Sequence, residues 1–189
     1  MLKKSSTTWK VLDKKKVFEA KPWISIFSKK IKLPNNKIIE KYHEIKLNDF
    51  VIIYALTKDN KLVIEKQYKP AIKTFTYTLP KGAIEKGETS LSAAKREFLE
   101  ETGFKAKKWK KIGSVVGSGS YGCGTAHIYF AEKAYKFTKP TSKDVEETKI
   151  DLLRPQIFYS RLLKQKVGLM ASWCAIGMIL IFEKLRNRV

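Results

Sequence analysis

The chain has 189 residues, 43% of them hydrophobic and 30% charged, and a net charge of +21. That length holds one domain with a proper core and a small appendage, which excludes two large domains, and the composition excludes a disordered or fibrous chain. Two cysteines, Cys123 and Cys174, make neither a disulfide framework nor a C-x-x-C zinc site. The opening Met-Leu-Lys-Lys-Ser-Ser-Thr-Thr-Trp has no apolar run of the secretory kind, so a reducing cytoplasm is the expected setting.

Residues 1–48 read as short strands. Val11 to Asp13 and Val17 to Ala20 are two fragments, and Trp23 to Leu33 alternates in strand fashion from Ser25. Pro34 to Lys37 is a turn, and Ile38 to Leu47 completes a hairpin. Such a meander has too little core to stand alone, and should pack on the main domain, on a second copy of itself, or on both.

Residues 49–189 read as the main domain. Phe50 to Leu56 is a continuous apolar run, as in a central strand buried on both faces. Asp59 to Lys61 is a turn, Leu62 to Gln67 the next strand, and Tyr77 to Pro80 leads into a glycine-rich turn and a helix. Lys105 to Gly113 is a lysine-decorated edge strand with Trp109 facing in. Ser114 to Gly124, with four glycines, predicts a loop. Thr125 to Glu132 is a strand, Pro140 to Glu147 a polar loop, Thr148 to Leu153 a strand, and Arg154-Pro155 the start of a helix. Val167 to Phe182 is apolar around most of its circumference, but a membrane span needs about 20 such residues. A buried C-terminal helix is expected, with no membrane association.

The positive charge is densest at Lys14 to Lys16 and at Lys105, Lys107, Lys108, Lys110 and Lys111. Lysine supplies most of it, and no stacking aromatics alternate with it in a recognisable module. A lysine bias whose solvated faces steer an anionic substrate is favoured over nucleic-acid binding.

The most informative stretch is Gly82 to Phe104. Thr89 or Ser90 can cap a helix and Gly103 can end it. Glu97, Glu100 and Glu101 then share one arc, because i, i+3 and i+4 are neighbours on a helix. Leu91, Ala94 and Phe98 form the adjoining buried stripe. Clustered like charges disfavour the helix unless a cation neutralises them, and an all-oxygen set suits a hard ion, Mg²⁺ first and Mn²⁺ as the alternative.

This stretch resembles the Nudix box, G-x5-E-x7-R-E-U-x-E-E-x-G-U, where U is bulky and apolar. Gly82, Glu88, Arg96, Glu97, Glu100, Glu101 and Gly103 occupy its seven fixed positions, and Phe98 and Phe104 the apolar ones. With residue frequencies of roughly one in fifteen, seven chance matches come to about one in 10⁸ per starting position. Nearly the whole chain is similar to the ADP-ribose pyrophosphatase branch of that family. The meander, Glu65 to Pro70, Thr78 to Gly82, Ala126 to Ala131 and Val145 to Glu147 follow in the branch's order. The resemblance implies an α/β/α sandwich with a mixed sheet, the N-terminal antiparallel meander serving as a dimerisation element.

It also implies site roles. Glu97 and Glu101 would be the main metal ligands, with Glu100 a ligand or its partner and the Lys81 carbonyl completing the sphere. Arg96 and Glu88 would be an ion pair holding loop to helix. The general base would come from an acidic loop, Glu147 first and Glu146 next. Tyr68, Lys69, Lys81 and Gly82 would meet the substrate. His127, in an apolar strand, reads as a core histidine rather than a base. Three departures bear on the substrate. Thr78 stands where the branch often has glutamate, Lys69 where it has arginine, and Ser118 to Gly124 where it commonly carries a proline. Lysine keeps the charge but loses the bidentate fork. The implied activity is Mg²⁺-dependent hydrolysis of ADP-ribose or another nucleotide sugar. The alternatives are a dinucleoside polyphosphate or RNA 5′-end pyrophosphohydrolase, or a binding module without turnover.

Overall fold

The computed structural model describes residues 8–141, 148–165 and 168–186. In chain order the strands are β1 (Lys10–Ala20), β2 (Ile24–Lys32), β3 (Ile38–Leu47), β4 (Phe50–Thr57), β5 (Leu62–Lys69), β6 (Thr74–Thr78) and β7 (Lys81–Ala83). Helix α1 (Ser90–Thr102) follows, then β8 (Phe104–Lys105), β9 (Lys108–Ser118), β10 (Gly122–Lys136) and β11 (Thr148–Leu153), and the helices α2 (Pro155–Leu163) and α3 (Met170–Arg186). The chain divides into two compact units, Met1–Asn48 with Val116–Thr125, and Asp49–Val115 with Ala126–Val189.

In the first unit β1, β2 and β3 form an antiparallel meander. The two fragments expected within residues 11–20 are one strand, bent by register shifts at Val11/Asp13 and Lys16/Phe18. Ile31 is buried, whereas Trp9, Val11, Val17, Phe18 and Trp23 are exposed. The loop expected over 114–124 is strand for most of its length. Its glycines serve close approach rather than a wandering chain. A methyl group on Gly117 would lie 2.7 Å from the Cys123 carbonyl oxygen, and one on Gly124 2.6 Å from that of Asn48.

In the second unit β4 is central. It pairs in parallel with β10, from Phe50 opposite Ala126 onwards, and antiparallel with β5 and β7. Strand β5 pairs antiparallel with β6 and β11, giving a mixed sheet. Because side chains alternate across a strand, β4 feeds two cores. Val51, Ile53 and Ala55 pack with Ala93, Ala94 and Phe98 of α1. Ile52 and Tyr54 pack with Phe158 and Leu162 of α2 and Ala175, Ile176 and Ile179 of α3. The result is helix, sheet and helix in three layers, the α/β/α sandwich expected. Trp109 packs edge-on against Phe98, as the sequence predicts.

Two helical expectations are corrected. Leu91 is exposed, because it precedes the turn of α1 that meets the sheet, and Ala93 joins Ala94 and Phe98 in the buried stripe. Helix α3 buries only one side, through Ser172, Ala175, Ile176 and Ile179, while Met170, Leu180, Ile181 and Leu185 are exposed. Among the described residues no helix is long and apolar enough to cross a membrane.

Candidate active site

Helix α1 is set by its ends. Thr89 caps it, its hydroxyl accepting from the Ser92 N–H, and Gly103 closes it in the left-handed region at φ 71°, donating to the Leu99 carbonyl. These caps fix which residues face the segment Lys81-Gly82 of β7. Glu101 is buried, and its Oε2 accepts from the Lys81 backbone N–H at 2.9 Å. Glu97 lies over Gly82 so closely that a methyl group there would overlap its carboxylate. Two acids one helical turn apart thus reach the same two residues.

Arg96 organises the other acids. Its Nε and one terminal nitrogen donate to the two oxygens of Glu88 at 3.1 and 2.8 Å. It also donates to Glu97 at 2.8 Å, to Glu100 at 3.2 Å and to the Ala83 carbonyl at 3.0 Å. The bidentate bond holds the Glu88 carboxyl below its usual range, and the surrounding acids raise Arg96 further above its own. Loop 83–88 is therefore tied to α1 by a guanidinium, as the Glu88–Arg96 pairing implies.

Sequence reasoning missed Glu65. It lies on β5 opposite Thr78, is wholly buried, and is close enough for its charge to act on Glu101. Burial first, then the charge of Glu65, holds the Glu101 carboxyl well above the ordinary range, against the pull of Lys81. In the sequence it is the acid that ends the apolar run Leu62-Val63-Ile64 and opens the segment Glu65 to Pro70. At position 78, where glutamate is frequent in the resembling branch, threonine stands, and Glu65 is its cross-strand partner.

The remaining candidates are scattered. Tyr68 is exposed on β5 and meets Phe75 of β6 edge-on at 5.3 Å, so an aromatic pair stands where one ring was expected. Lys69 is half-buried beside it, opposite Thr74. His127 is not a core residue. It is half-buried, its Nδ1 lies 2.9 Å from the Ser114 hydroxyl, and partial burial and then Lys111 lower its pKa. Glu146 and Glu147 lie outside the described residues.

A hard divalent cation fits this donor set. All the side-chain donors are carboxylate oxygens, two of them nearly or fully buried, and Gly82 leaves a cradle that any side chain would fill. Among the described residues no three acidic, histidine or cysteine side chains already converge as a cage. Glu97 and Glu100 are turned towards Arg96, and Glu101 towards Lys81.

Comparison with known proteins agrees with this geometry. Residues 46–166, well over half the chain, match the NUDIX domain. An ADP-ribose pyrophosphatase of Bacillus subtilis is 30% identical over 138 residues, covering 73% of this chain and 74% of that protein. A methanol dehydrogenase activator of Bacillus methanolicus is 28% identical over 123 residues, covering 65% of each. The solved structure of an ADP compounds hydrolase superposes with a TM-score of 0.77 over 96% of this chain and 97% of its own, at 19% identity, a likeness of fold. The chain belongs to the Nudix family and is a pyrophosphohydrolase of the ADP-ribose pyrophosphatase-like type.

Proposed function

We propose that the protein hydrolyses the pyrophosphate bond of a nucleoside diphosphate joined to another group, ADP-ribose or another nucleotide sugar, in a Mg²⁺-dependent reaction. The products would be a nucleoside monophosphate and a sugar phosphate. One observation carries the proposal: Glu101 and Glu97, both in the box pattern, converge on Lys81-Gly82. Glu97, Glu101 and the Lys81 carbonyl would hold the cation, with Glu100 as a further ligand or partner.

When bound, the cation supplies positive charge to the non-bridging oxygens and lowers the pKa of the attacking water. In the reaction the water oxygen bonds to one phosphorus, the bridging P–O bond breaks, and the departing phosphate keeps the electron pair. Gly82 leaves room for the Glu97 carboxylate to face the diphosphate, and Lys69 offsets the diphosphate's charge. Tyr68, paired with Phe75, offers an aromatic surface for the base. Glu147, with Glu146 as second choice, would take the water's proton, a role resting on the family resemblance. A homodimer through the N-terminal strands belongs to the same reading, supported by their exposed apolar residues. So does a cytoplasmic setting, supported by two unpaired thiols.

The test is phosphate-product analysis on ADP-ribose, other nucleotide sugars, dinucleoside polyphosphates and capped RNA, with and without Mg²⁺. Turnover of a nucleotide sugar is expected. The Glu101→Gln variant should fold, by circular dichroism, yet lose turnover and the thermal stabilisation that Mg²⁺ gives the parent. A fully active Glu101→Gln protein would remove the metal assignment, and activity confined to capped RNA would remove the substrate.

A further inference from the structure

The lysine cluster after the box meets Tyr135 and Phe137 only on folding. Strands β8 and β10 pair antiparallel, with Tyr135 opposite Lys105 and Lys136 opposite Phe104. Residues 104–111 and 133–141 thereby meet, bringing together eight lysines and no acid. Among the described residues, none of the eight forms an ion pair with a carboxylate. Tyr135 and Phe137 are exposed between them, at 43% and 57%. Lys105 stands over the Phe137 ring at 3.4 Å and Lys136 over Phe104 at 5.1 Å.

Tyr135 also divides two hollows. One, of about 690 Å³, has Phe104 and Leu152 in its wall and Lys58, Lys107, Lys133 and Lys136 around it. Its acid, Asp59, is taken by the Thr57 hydroxyl and by Lys61 at 3.0 Å. The other, of about 380 Å³, lies between Trp109 and Tyr135, with Lys95, Lys105 and Lys107 at its edge. Cationic heads around exposed rings and apolar hollows match a ligand that is anionic along its length and flat and aromatic at intervals.

We infer that this face of β8 and β10 binds single-stranded nucleic acid, with bases against Tyr135 and Phe137 and phosphates along the lysines. A duplex hides its base faces and would meet the lysines alone, whereas a single strand offers both its phosphates and its flat bases to this face. The inference does not rest on the substrate proposed above, although the smaller hollow is also lined by Arg96, which binds the carboxylates of α1 from its other side. A sequence reading that favours plain lysine bias lacks this pairing, because Lys105 to Lys111 lie more than twenty residues before Tyr135 and Phe137.

The test is fluorescence anisotropy with labelled oligouridylate of about ten nucleotides over a salt series, using the full chain. Affinity should fall steeply with salt, and Lys107→Glu with Lys133→Glu should flatten that slope by about one per lysine. Tyr135→Leu should weaken binding by about tenfold while Tyr135→Phe restores it, because one stacked base is worth roughly that factor. A duplex of the same length should respond to the lysine variants alone. Equal binding of parent and Tyr135→Leu would overturn the inference in favour of indiscriminate polyanion attraction. Tighter binding to phosphatidylserine vesicles than to the oligonucleotide, with the same sensitivity to Tyr135→Leu, would overturn it in favour of a membrane surface.

Discussion

Gly82 is where one missing methyl group decides the position of a carboxylate. In Gly82→Ala the new methyl would occupy the space of the Glu97 carboxyl, which sits at the end of a flexible side chain and can swing aside. The fold should therefore survive with its thermal midpoint little changed, while Mn²⁺ affinity, read by electron paramagnetic resonance, falls about 10- to 100-fold. Unaltered affinity would show that Glu97 is not a ligand. The helical acids were legible beforehand because a 3.6-residue period places i and i+4 on one face without knowing what the helix meets. Glu65 was not. Its neighbours on β5 are buried on both faces, so alternation could not say which way it points. Only the pairing with Thr78 brings it to Glu101.

At the scale of elements, α1 and α3 show opposite limits. Both ends of α1 are written in its capping residues, Thr89 and Gly103, whose roles depend on their immediate neighbours alone. Helix α3 is apolar all round, a pattern that fits a helix buried on every side, yet it presents Ile181 and Leu185 to solvent. The hydrophobic residues cannot themselves announce which side the sheet will take. Ile179→Ala, on the buried side, should cost about 2–5 kcal/mol in urea unfolding. Ile181→Ser, two residues on, should stay within about 0.5 kcal/mol. Equal costs would mean that the outer side of α3 is also covered in solution. The glycines at 117 and 124 misled for a related reason: a glycine that bends a loop and one that admits a neighbouring strand look alike until the neighbour is known.

At the scale of the molecule, element order was readable almost throughout, because the box anchors the count and the strands before and after it follow the family's sequence. What the order could not supply is a fate for the meander's apolar residues. Val17 and Phe18 are about half exposed on β1, more than an isolated surface strand would favour. If a second copy covers them, the parent should sediment as a dimer, and Val17→Lys with Phe18→Lys should sediment as a monomer. A parent that already runs as a monomer would sink the dimer proposal.

The alternation in β4 has a consequence for how this chain can vary. Its odd-numbered residues from Val51 to Ala55 serve α1, and its even-numbered Ile52 and Tyr54 serve α2 and α3. Inserting or deleting a single residue inside that strand would exchange the two sets at one stroke, leaving each helix facing side chains shaped for the other. Changes of length in related proteins should therefore gather in the connections, leaving this strand at constant length while its individual residues drift.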